Sequence, residues 1–542
     1  MHHFLSGGAP EIAGRLVAQS GHALIEEERV VDLERWLGQL PGDVIERDPT
    51  LLLFKAWMAR VKLQIPEIAK HLKRAEALMS TNRPAEAISD TMRGYLNSIR
   101  SYERYLMLDH EESQVCAKRA ITLIPPKYSY MRGFAKIIYA ATLQMTGRFQ
   151  EAVSVMDLAL ADPSLQRSHN QAVLLAGHSP ICMMEADFQA LRKAATNLVR
   201  LGKETGLPPY RAWGRLYLAC SHYQCNEPET AERILALHME DRYLIYPDAV
   251  VDGAVILSLS YQVLGRPQEA RDVADSLNEF AMDTGNGQLL QAGQAFQAEL
   301  ALRQERLGEA MDWARAFEPR QFHAHYFFYL PELTLAKVLM AEDTPDSRQR
   351  ARNLLANLEE FSRSTCNYLF LIPVLALQAI LHEKAADESA ALKKLAESVS
   401  LAEPGGGLRW FLDQGLPMAD LFKRLQKQNV AVDYIEKTLA AFSADEQVVV
   451  LDAADHPIAS HHQPLGPYTG SQPLVEPLTN RELDVLELLA QRLQNKEIAD
   501  NLFVSTETVK GHLKNIYQKL NVGKRREAIE KAKKIGILPG DV

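Results

Sequence analysis

One short pattern recurs along most of the chain and limits the folds that it can adopt. An apolar run rich in Ala and Leu is followed by a break at Gly, and Glu-Ala then opens a second apolar run. The clearest copies lie at residues 140–152, 259–270 and 300–310, and residues 335–352 and 377–392 look like decayed copies. Apolar positions follow the period of a helix, and the clear copies lie about 40 residues apart, which is close to the period of stacked helix pairs. The chain is therefore predicted to be all-α, with helix pairs stacked into a solenoid.

Each copy predicts two helices that pack closely through small residues. Gly147, Gly265 and Gly308 are expected to end the first helix of a pair, because glycine takes the left-handed conformation of a helix C-terminus without strain. The Glu that follows suits the positive end of the second helix. The pattern resembles the tetratricopeptide repeat, irregular in length, and this resemblance implies an α-solenoid over residues 9–442. Such arrays curve into a superhelix whose concave face binds peptides, proteins or small ligands.

Aromatic residues in this predicted solenoid have two interpretations. The segment 323–329, which reads His-Ala-His-Tyr-Phe-Phe-Tyr, either packs a repeat or lines a ligand groove. The same two interpretations apply to Tyr128, Tyr130, Trp213 and Tyr217.

The last part of the chain, residues 478–542, is predicted to form four short helices. Thr479 and Glu482 have the spacing of a capping box at the start of the first helix. Asn495 is a suitable N-cap for the second helix, and Ser505 is one for the third. One face of the third helix is apolar and predicted to be core: Val509, Leu513, Ile516 and Leu520.

The opposite face of the third helix is polar and basic, with Lys510 and Lys514 one turn apart. Residues 505–534 contain nine Lys/Arg and three Asp/Glu, a balance of +6. The whole chain has 60 Lys+Arg against 69 Asp+Glu, a balance of −9, so the remaining residues sum to −15. A basic segment on an acidic protein predicts a polyanionic partner, and a helix in the major groove meets both base edges and phosphates.

The order of residues in this segment resembles the LuxR-type DNA-binding domain. The shared motifs are Leu-Thr-x-Arg-Glu from residue 478, Asn-Lys-Glu-Ile-Ala from 495, Thr-Val-Lys-x-His-Leu from 508, Lys-Leu-x-Val from 519 and Arg-x-x-Ala-Ile from 525. The resemblance implies a helix-turn-helix over residues 495–514. It implies base contacts at Lys510, Gly511 and Lys514, and phosphate contacts at Asn495, Lys496, Thr508, Lys519 and Arg525.

Three positions depart from the pattern of that domain. Arg492 stands where the family often has a glycine that closes the first helix, and Gln494 stands where a serine is common. Gly511 lies in the middle of the predicted third helix, where it lowers helix propensity by about 1 kcal/mol relative to Ala. It also removes a side chain that could read a base.

Two flanks of the solenoid resemble the large ATP-binding LuxR-type regulators of the maltose-regulon-activator family. The residues that carry this resemblance lie at 24–41 and 401–415. It implies that an inducer or a partner protein binds the superhelix. That family also has an N-terminal module with a Gly-x-x-x-x-Gly-Lys-Ser/Thr loop, which this sequence lacks. We expect either a naturally short relative or the second half of a split gene, without intrinsic control by ATP.

Residues 443–477 interrupt the helical pattern. The apolar run 448–451 is expected to be a strand or a loop against the solenoid. The prolines and glycines after it predict a linker, in which His461 and His462 are expected to be solvated.

Other classes of protein find no support in the sequence. The five cysteines form no CxxC pair, which favours reduced thiols in a cytoplasmic protein. We find no catalytic motif, metal site or cofactor site, and no apolar run long enough for a membrane span. The sequence therefore predicts a regulator that binds double-stranded DNA as a homo-oligomer and acts with RNA polymerase. The alternative is a protein-binding solenoid with a vestigial DNA-binding domain.

Overall fold

The structure is a computed structural model, and its described residues form two compact units. It describes residues 9–61, 64–81, 89–165, 168–240, 247–283, 287–319, 328–454, 485–486, 488–490, 493–502, 506–520, 522 and 524–534. One unit lies within residues 1–455 and is called the repeat body here, and the other lies within residues 456–542 and is called the terminal unit. The regular structure of the described residues is helical, without a β-strand, which confirms the all-α prediction. The predicted boundaries at 9–442, 443–477 and 478–542 stay predictions.

The repeat body contains helices α1 to α24, with short 3-10 turns at Pro163–Leu165 and Glu403–Gly405. Its first half comprises α1 (Pro10–Glu26), α2 (Val30–Gln39), α3 (Gly42–Arg47), α4 (Pro49–Val61), α5 (Ile65–Thr81), α6 (Asp90–Leu106), α7 (His110–Leu123), α8 (Ser129–Met145), α9 (Phe149–Leu160), α10 (His169–Met184), α11 (Phe188–Glu204) and α12 (Pro208–Gln224). Its second half comprises α13 (Pro228–Glu240), α14 (Pro247–Val263), α15 (Pro267–Asp283), α16 (Gly287–Arg303), α17 (Leu307–Ala316), α18 (Pro331–Glu342), α19 (Pro345–Ser364), α20 (Tyr368–Lys384), α21 (Glu388–Ala402), α22 (Arg409–Leu412), α23 (Leu416–Gln426) and α24 (Val432–Ala454).

Helices of the repeat body stack in two layers. From α4 to α17, each helix packs against the next one along the chain. The first helices of successive pairs also contact each other, in the series α4, α6, α8, α10, α12, α14 and α16. This is the arrangement of a tetratricopeptide-like solenoid, in which each repeat buries its apolar face on its neighbours.

The turn inside each helix pair has one geometry, although the residue at its centre varies. Gly147 and Gly265 have φ of +76° and +71°, as predicted for the ends of α8 and α14. The prediction for Gly308 was wrong, because Gly308 lies inside α17 and Glu305 takes the left-handed position at φ +60°. The same bond closes all three turns: Arg148 N–H to Leu143 O at 2.9 Å, Arg266 N–H to Tyr261 O at 2.9 Å and Arg306 N–H to Ala301 O at 2.8 Å. These are Schellman turns, in which the hydrogen bonds satisfy the last carbonyls of the helix.

The far end of the repeat body returns to its middle. The amide of Gln144 donates to the carbonyl of Cys366 at 2.8 Å, and α10 packs against α20. The N–H of Leu408 donates to the carbonyl of Gln224 at 2.6 Å. A Cβ atom on Gly405 would lie 1.8 Å from the carbonyl oxygen of Ala186, so the backbones meet there without room for a side chain. Residues 403–415, called the closing segment here, thereby join two parts of the solenoid that are far apart in sequence.

The expectation of a strand or loop at residues 448–451 was wrong, since α24 continues through them to Ala454. Ala, Glu, Asp and Gln surround the valines, and a valine lowers helix propensity by less than about 1 kcal/mol relative to Ala. Extension of an existing helix therefore prevails over the β preference of a short run.

The terminal unit contains α25 (Asn495–Leu502), α26 (Thr506–Lys519) and α27 (Arg525–Lys534). Residues 485–486 and 488–490, which precede them, are also helical. No described helix in either unit is both long and apolar enough to cross a membrane.

Candidate nucleic-acid interface and an internal cavity

The core of the terminal unit fixes which face of α26 is buried. The predicted apolar stripe is confirmed, because Val509, Leu513, Ile516 and Leu520 are all buried. They pack in one cluster with residues from the preceding helical segment, from α25 and from α27: Val485, Leu486, Leu489, Ile498, Ala528 and Ala532. Because one side of α26 faces this cluster, its other side is presented outward.

The lysines predicted to read bases lie on that outward side. Lys510 and Lys514 are exposed and one helical turn apart. Gly511 lies between them in the α26 backbone, to which Thr508 and Lys519 also belong. The side-chain positions of Thr508 and Lys519 lie outside the described residues. The structure thus brings together the two exposed lysines, and the base and phosphate roles stay predictions.

The start of α25 differs by one residue from the predicted cap. The carbonyl of Gln494 accepts the first helical hydrogen bond, from Ile498 N–H at 2.8 Å. The carboxylate of Glu497 accepts from Gln494 N–H at 2.6 Å, as the third helical residue does in a capping box. Gln494 is therefore the N-cap, and the prediction that Asn495 caps the helix was wrong. The sequence signal that we missed is a Glu three residues after Gln494. Lys496, in the first turn, is exposed.

Arg525 makes a contact inside the terminal unit. Its guanidinium donates to the carbonyl of Leu493 and lies 3.5 Å from the side-chain oxygen of Asn495. Arg525 is half-buried. Its contacts with Leu493 and Asn495 tie the start of α27 to the turn before α25. Two predicted phosphate-binding residues therefore have a structural contact that the sequence did not indicate.

Further cationic side chains extend the basic surface at the start of α27. Lys524 and Arg526 are exposed, and Arg526 pairs with Glu530 at 2.8 Å. Such an exposed pair within a helix contributes little to stability. The predicted first-helix cap at Thr479 and Glu482, the departure at Arg492, the cap at Ser505 and the linker after residue 454 lie outside the described residues.

The repeat body contains a cavity of about 90 Å³ that the sequence did not indicate. Helices α12, α14, α16, α18 and α20, the segment before α18 and the closing segment all contribute to its wall. Phe328 and Tyr329 line it and also pack against the core of the repeat body, so the end of the aromatic segment fits both interpretations. Residues 323–327 lie outside the described residues. Tyr130 and Tyr217 are buried in the core instead, which supports their packing role.

A buried network of charged residues forms one side of this cavity. Glu299 accepts hydrogen bonds from Arg303 at 2.8 Å, from Lys337 at 2.7 Å and from Thr334 at 3.0 Å. Asp413, in the closing segment, pairs with Arg409 at 2.7 Å and with Arg303 at 3.2 Å.

These neighbours control the ionisation of the buried groups. Burial alone would raise the pKa of Glu299, but the adjacent Lys337 and Arg303 outweigh it and hold that pKa well below its usual range. Arg409 and Arg303 likewise lower the pKa of Asp413 against the effect of burial. Both carboxylates are therefore ionised at neutral pH. Among the described residues, no group of three or more His, Cys, Asp or Glu side chains is placed to hold a metal ion.

The fold and the basic helix define a class of protein: a helical-repeat body with a C-terminal helix-turn-helix of the LuxR type. The family described as the MalT-like TPR region matches residues 96–428, and that of bacterial regulatory proteins, luxR family, matches residues 476–532. The chain belongs to the MalT-like family of LuxR-type transcription regulators.

Curated relatives support this assignment. The HTH-type transcriptional regulator MalT of Klebsiella pneumoniae (strain 342) is 23% identical over 565 residues, which cover 99% of this chain and 59% of the relative. The protein of that name from Yersinia pestis (strain Pestoides F) is 22% identical over 568 residues, with the same coverage. The chain thus spans about three fifths of the length of these relatives. A chain of the APC/C hetero-tetramer Cut9-Hcn1 aligns over 83% of this chain and 89% of its own length at 12% identity, and its TM-score of 0.39 is too low to establish a common fold.

Proposed function

We propose that this protein is a transcription regulator that binds promoter DNA through α26. The observation that carries the proposal is the two-sided character of that helix. One side is packed in the core of the terminal unit, and the other presents Lys510 and Lys514 within a segment of charge +6. The acidic remainder of the chain would be repelled by DNA, so the charge of the protein favours contact through this segment alone.

The proposed contacts divide into two groups. Lys510, Gly511 and Lys514 face base edges in the major groove, where lysine recognises guanine acceptors. Asn495, Lys496, Thr508, Lys519 and Arg525 fix the helix on the phosphates, which carry no direct sequence information.

One recognition helix reads too few base pairs for useful specificity, so we infer that the protein binds DNA as a homo-oligomer. A promoter-bound regulator also meets RNA polymerase, and both partners place its action in the cytoplasm. We infer that an inducer or partner protein on the repeat body controls the terminal unit, so that the protein senses and regulates rather than catalyses.

The test compares two double variants of the full chain that change its charge equally. Lys510→Ala/Lys514→Ala removes two exposed lysines of α26, whereas Lys70→Ala/Lys423→Ala removes two exposed lysines of the repeat body. Fluorescence anisotropy measures affinity, at several salt concentrations, for fragments selected from a random-sequence pool. The α26 variant should bind at least about 10-fold more weakly and lose sequence preference, because each base contact contributes about 1–3 kcal/mol. The control should bind like the unmodified protein.

Equal affinities of the two double variants would reject α26 as the DNA-binding element. Absence of binding by the unmodified chain even at low salt would favour the second candidate, a protein-binding solenoid. Gly511 is the observation that favours that candidate, since it leaves the middle of α26 without a side chain for base contacts.

A further inference from the structure

The turn between α1 and α2 contacts helices that lie far along the chain. Residues 26–28 of this turn are three glutamates, called the acidic turn here. The carboxylate of Glu26 accepts hydrogen bonds from the N–H groups of Tyr130 at 2.8 Å and Met131 at 3.2 Å. It also accepts one from the hydroxyl of Tyr95, in α6, at 3.4 Å. The two N–H groups belong to the first turn of α8, whose positive end favours a carboxylate. Glu26 therefore caps α8 from 104 residues away.

Glu28 occupies a neighbouring position on the same surface. Its carboxylate accepts a hydrogen bond from the hydroxyl of Tyr210 at 2.5 Å, and Nε2 of His169 lies 3.1 Å from it. His169 is the first residue of α10, and Tyr210 lies in the first turn of α12. The starts of three successive first helices, α8, α10 and α12, thus hold two carboxylates that are two residues apart. These starts are called the carboxylate site here.

The middle glutamate of the acidic turn faces away from this site. The side chain of Glu27 is 60% exposed and lies 3.5 Å from the exposed guanidinium of Arg29. The aromatic rings of the site are buried instead: Tyr95, Tyr130 and Tyr210. The site therefore contacts the first and third residues of the acidic turn, and a Glu-x-Glu pattern with any middle residue fits it.

The acidic turn does not satisfy every polar group around it. The ring of His22 lies against those of Tyr95 and Tyr128, and its buried Nδ1 has no hydrogen-bond partner among the described residues. The side-chain oxygen of Asn170, in α10, is also buried without one. Burial raises the pKa of Glu26 against its hydrogen bonds, so those bonds do not fully compensate the loss of water. The turn is therefore an imperfect occupant, whose contacts another acidic segment can reproduce.

We propose that the carboxylate site recognises an acidic segment of a partner protein, with two carboxylates two residues apart, and that the acidic turn blocks the site until such a segment displaces it. A basic segment would bring cations to the positive ends of α8 and α10, so the site selects against it. A tethered segment competes at an effective concentration in the millimolar range, which sets the affinity that a partner must exceed. Displacement also releases the start of the repeat body, because Glu26 and Glu28 join it to helices beyond α7.

The first experiment displaces the acidic turn of the unmodified full chain with a synthetic peptide of its residues 19–33. Hydrogen exchange followed by mass spectrometry measures the opening of α1, which should exchange at least about 3-fold faster at millimolar peptide. The peptide with Glu27→Gln should act like the parent peptide, and the peptide with Glu26→Gln/Glu28→Gln should leave the exchange unchanged. No effect of the parent peptide, or equal effects of the parent and the doubly substituted peptide, would overturn the proposal.

The second experiment tests the site itself by anisotropy of the labelled parent peptide. The full chain with Glu26→Gln/Glu28→Gln should bind it at least about 10-fold more tightly than the unmodified chain, because its own turn no longer competes. Adding Tyr210→Phe removes one donor of the site and should weaken this binding about 10-fold, as expected for a hydrogen bond to a charged group. Tyr139→Phe is the control, because Tyr139 lies further along α8, beneath Lys118. Equal affinities of the two tyrosine variants would reject the site, and the first experiment decides the proposal even if a variant fails to fold.

The inference that an acidic partner on this site alters DNA binding rests on the proposed function. DNA affinity measured with and without the parent peptide separates the two proposals. Faster exchange of α1 with a change in DNA affinity supports both the site and its control of α26. Faster exchange with unchanged affinity keeps the site and rejects that control. Loss of DNA binding under all conditions rejects the proposed function, while the exchange and peptide-binding results stand by themselves.

Discussion

The buried charge network of the repeat body makes one substitution especially informative. In Glu299→Gln the side chain keeps its shape but loses its negative charge. The new amide N–H group would also face the N–H groups of Lys337 and Arg303, which need an acceptor. Both of those groups would remain buried with one carboxylate fewer between them. Breaking a buried ion pair on one side destabilises proteins by about 3–5 kcal/mol, mostly through the uncompensated charge. We expect a loss of this size in the free energy of unfolding.

The matched control is Glu151→Gln on the outer surface. Glu151 also pairs with an arginine, Arg148, at 2.6 Å, but its side chain is 58% exposed, against 4% for Glu299. Exposed pairs contribute little to stability because water solvates both partners when the pair is broken. Urea unfolding followed by near-ultraviolet circular dichroism measures both losses. If the two variants lose the same free energy within about 0.5 kcal/mol, the argument from burial fails.

The pH dependence of the same variant provides an independent check. The folded pKa of Glu299 is about 2, against an ordinary value of 4.5. Since the folded value is the lower one, the ionised carboxylate contributes stability above pH 4.5, and this contribution is lost as the pH falls from 4.5 through about 2. The Tm of the unmodified protein should therefore fall more steeply than that of Glu299→Gln between about pH 5 and about pH 3. Parallel Tm curves would refute the reasoning.

Two further predictions concern the turns and the DNA interface. Ala386 has φ +59° in an exposed Schellman turn, so Ala386→Gly should stabilise the protein by about 1 kcal/mol, whereas Ala385→Gly at φ −88° should not, as measured by urea unfolding. In DNA binding, Lys510→Ala should reduce discrimination between sequences by about 1–3 kcal/mol. Lys519→Ala should instead weaken binding to all sequences alike and reduce the salt slope by about 0.9, as anisotropy titrations would show. Identical behaviour of the two lysine variants would reject the division into base and phosphate contacts.

The fold class was readable from the sequence because helical periodicity is local information. The repeat turns were less evident, because glycine is the residue expected at the left-handed position. Ala186, Asn226 and Glu305 occupy that position in other copies with φ of about +60°. Neighbouring helices hold those turns in place, so packing replaces the residue preference that a sequence search depends on.

The candidate sites divide in the same way. The apolar stripe of α26 and its opposite lysines follow from spacing along one helix, and the structure confirms the stripe. The cavity network instead joins Arg303 to Asp413, which are 110 residues apart. No sequence spacing predicts such a contact, because the contact depends on the curvature of the superhelix.

The attachment of the closing segment also changes how the repeat body should lose order. Open repeat arrays contact only their neighbours, so their terminal repeats can fray while the middle stays folded. Here Gln144 and Cys366 are hydrogen-bonded across 222 residues, and Leu408 is bonded to Gln224. The last repeats therefore cannot open without exposing the central ones, so the array from α8 onward should melt cooperatively, and only the first repeats keep a free end from which the body can fray.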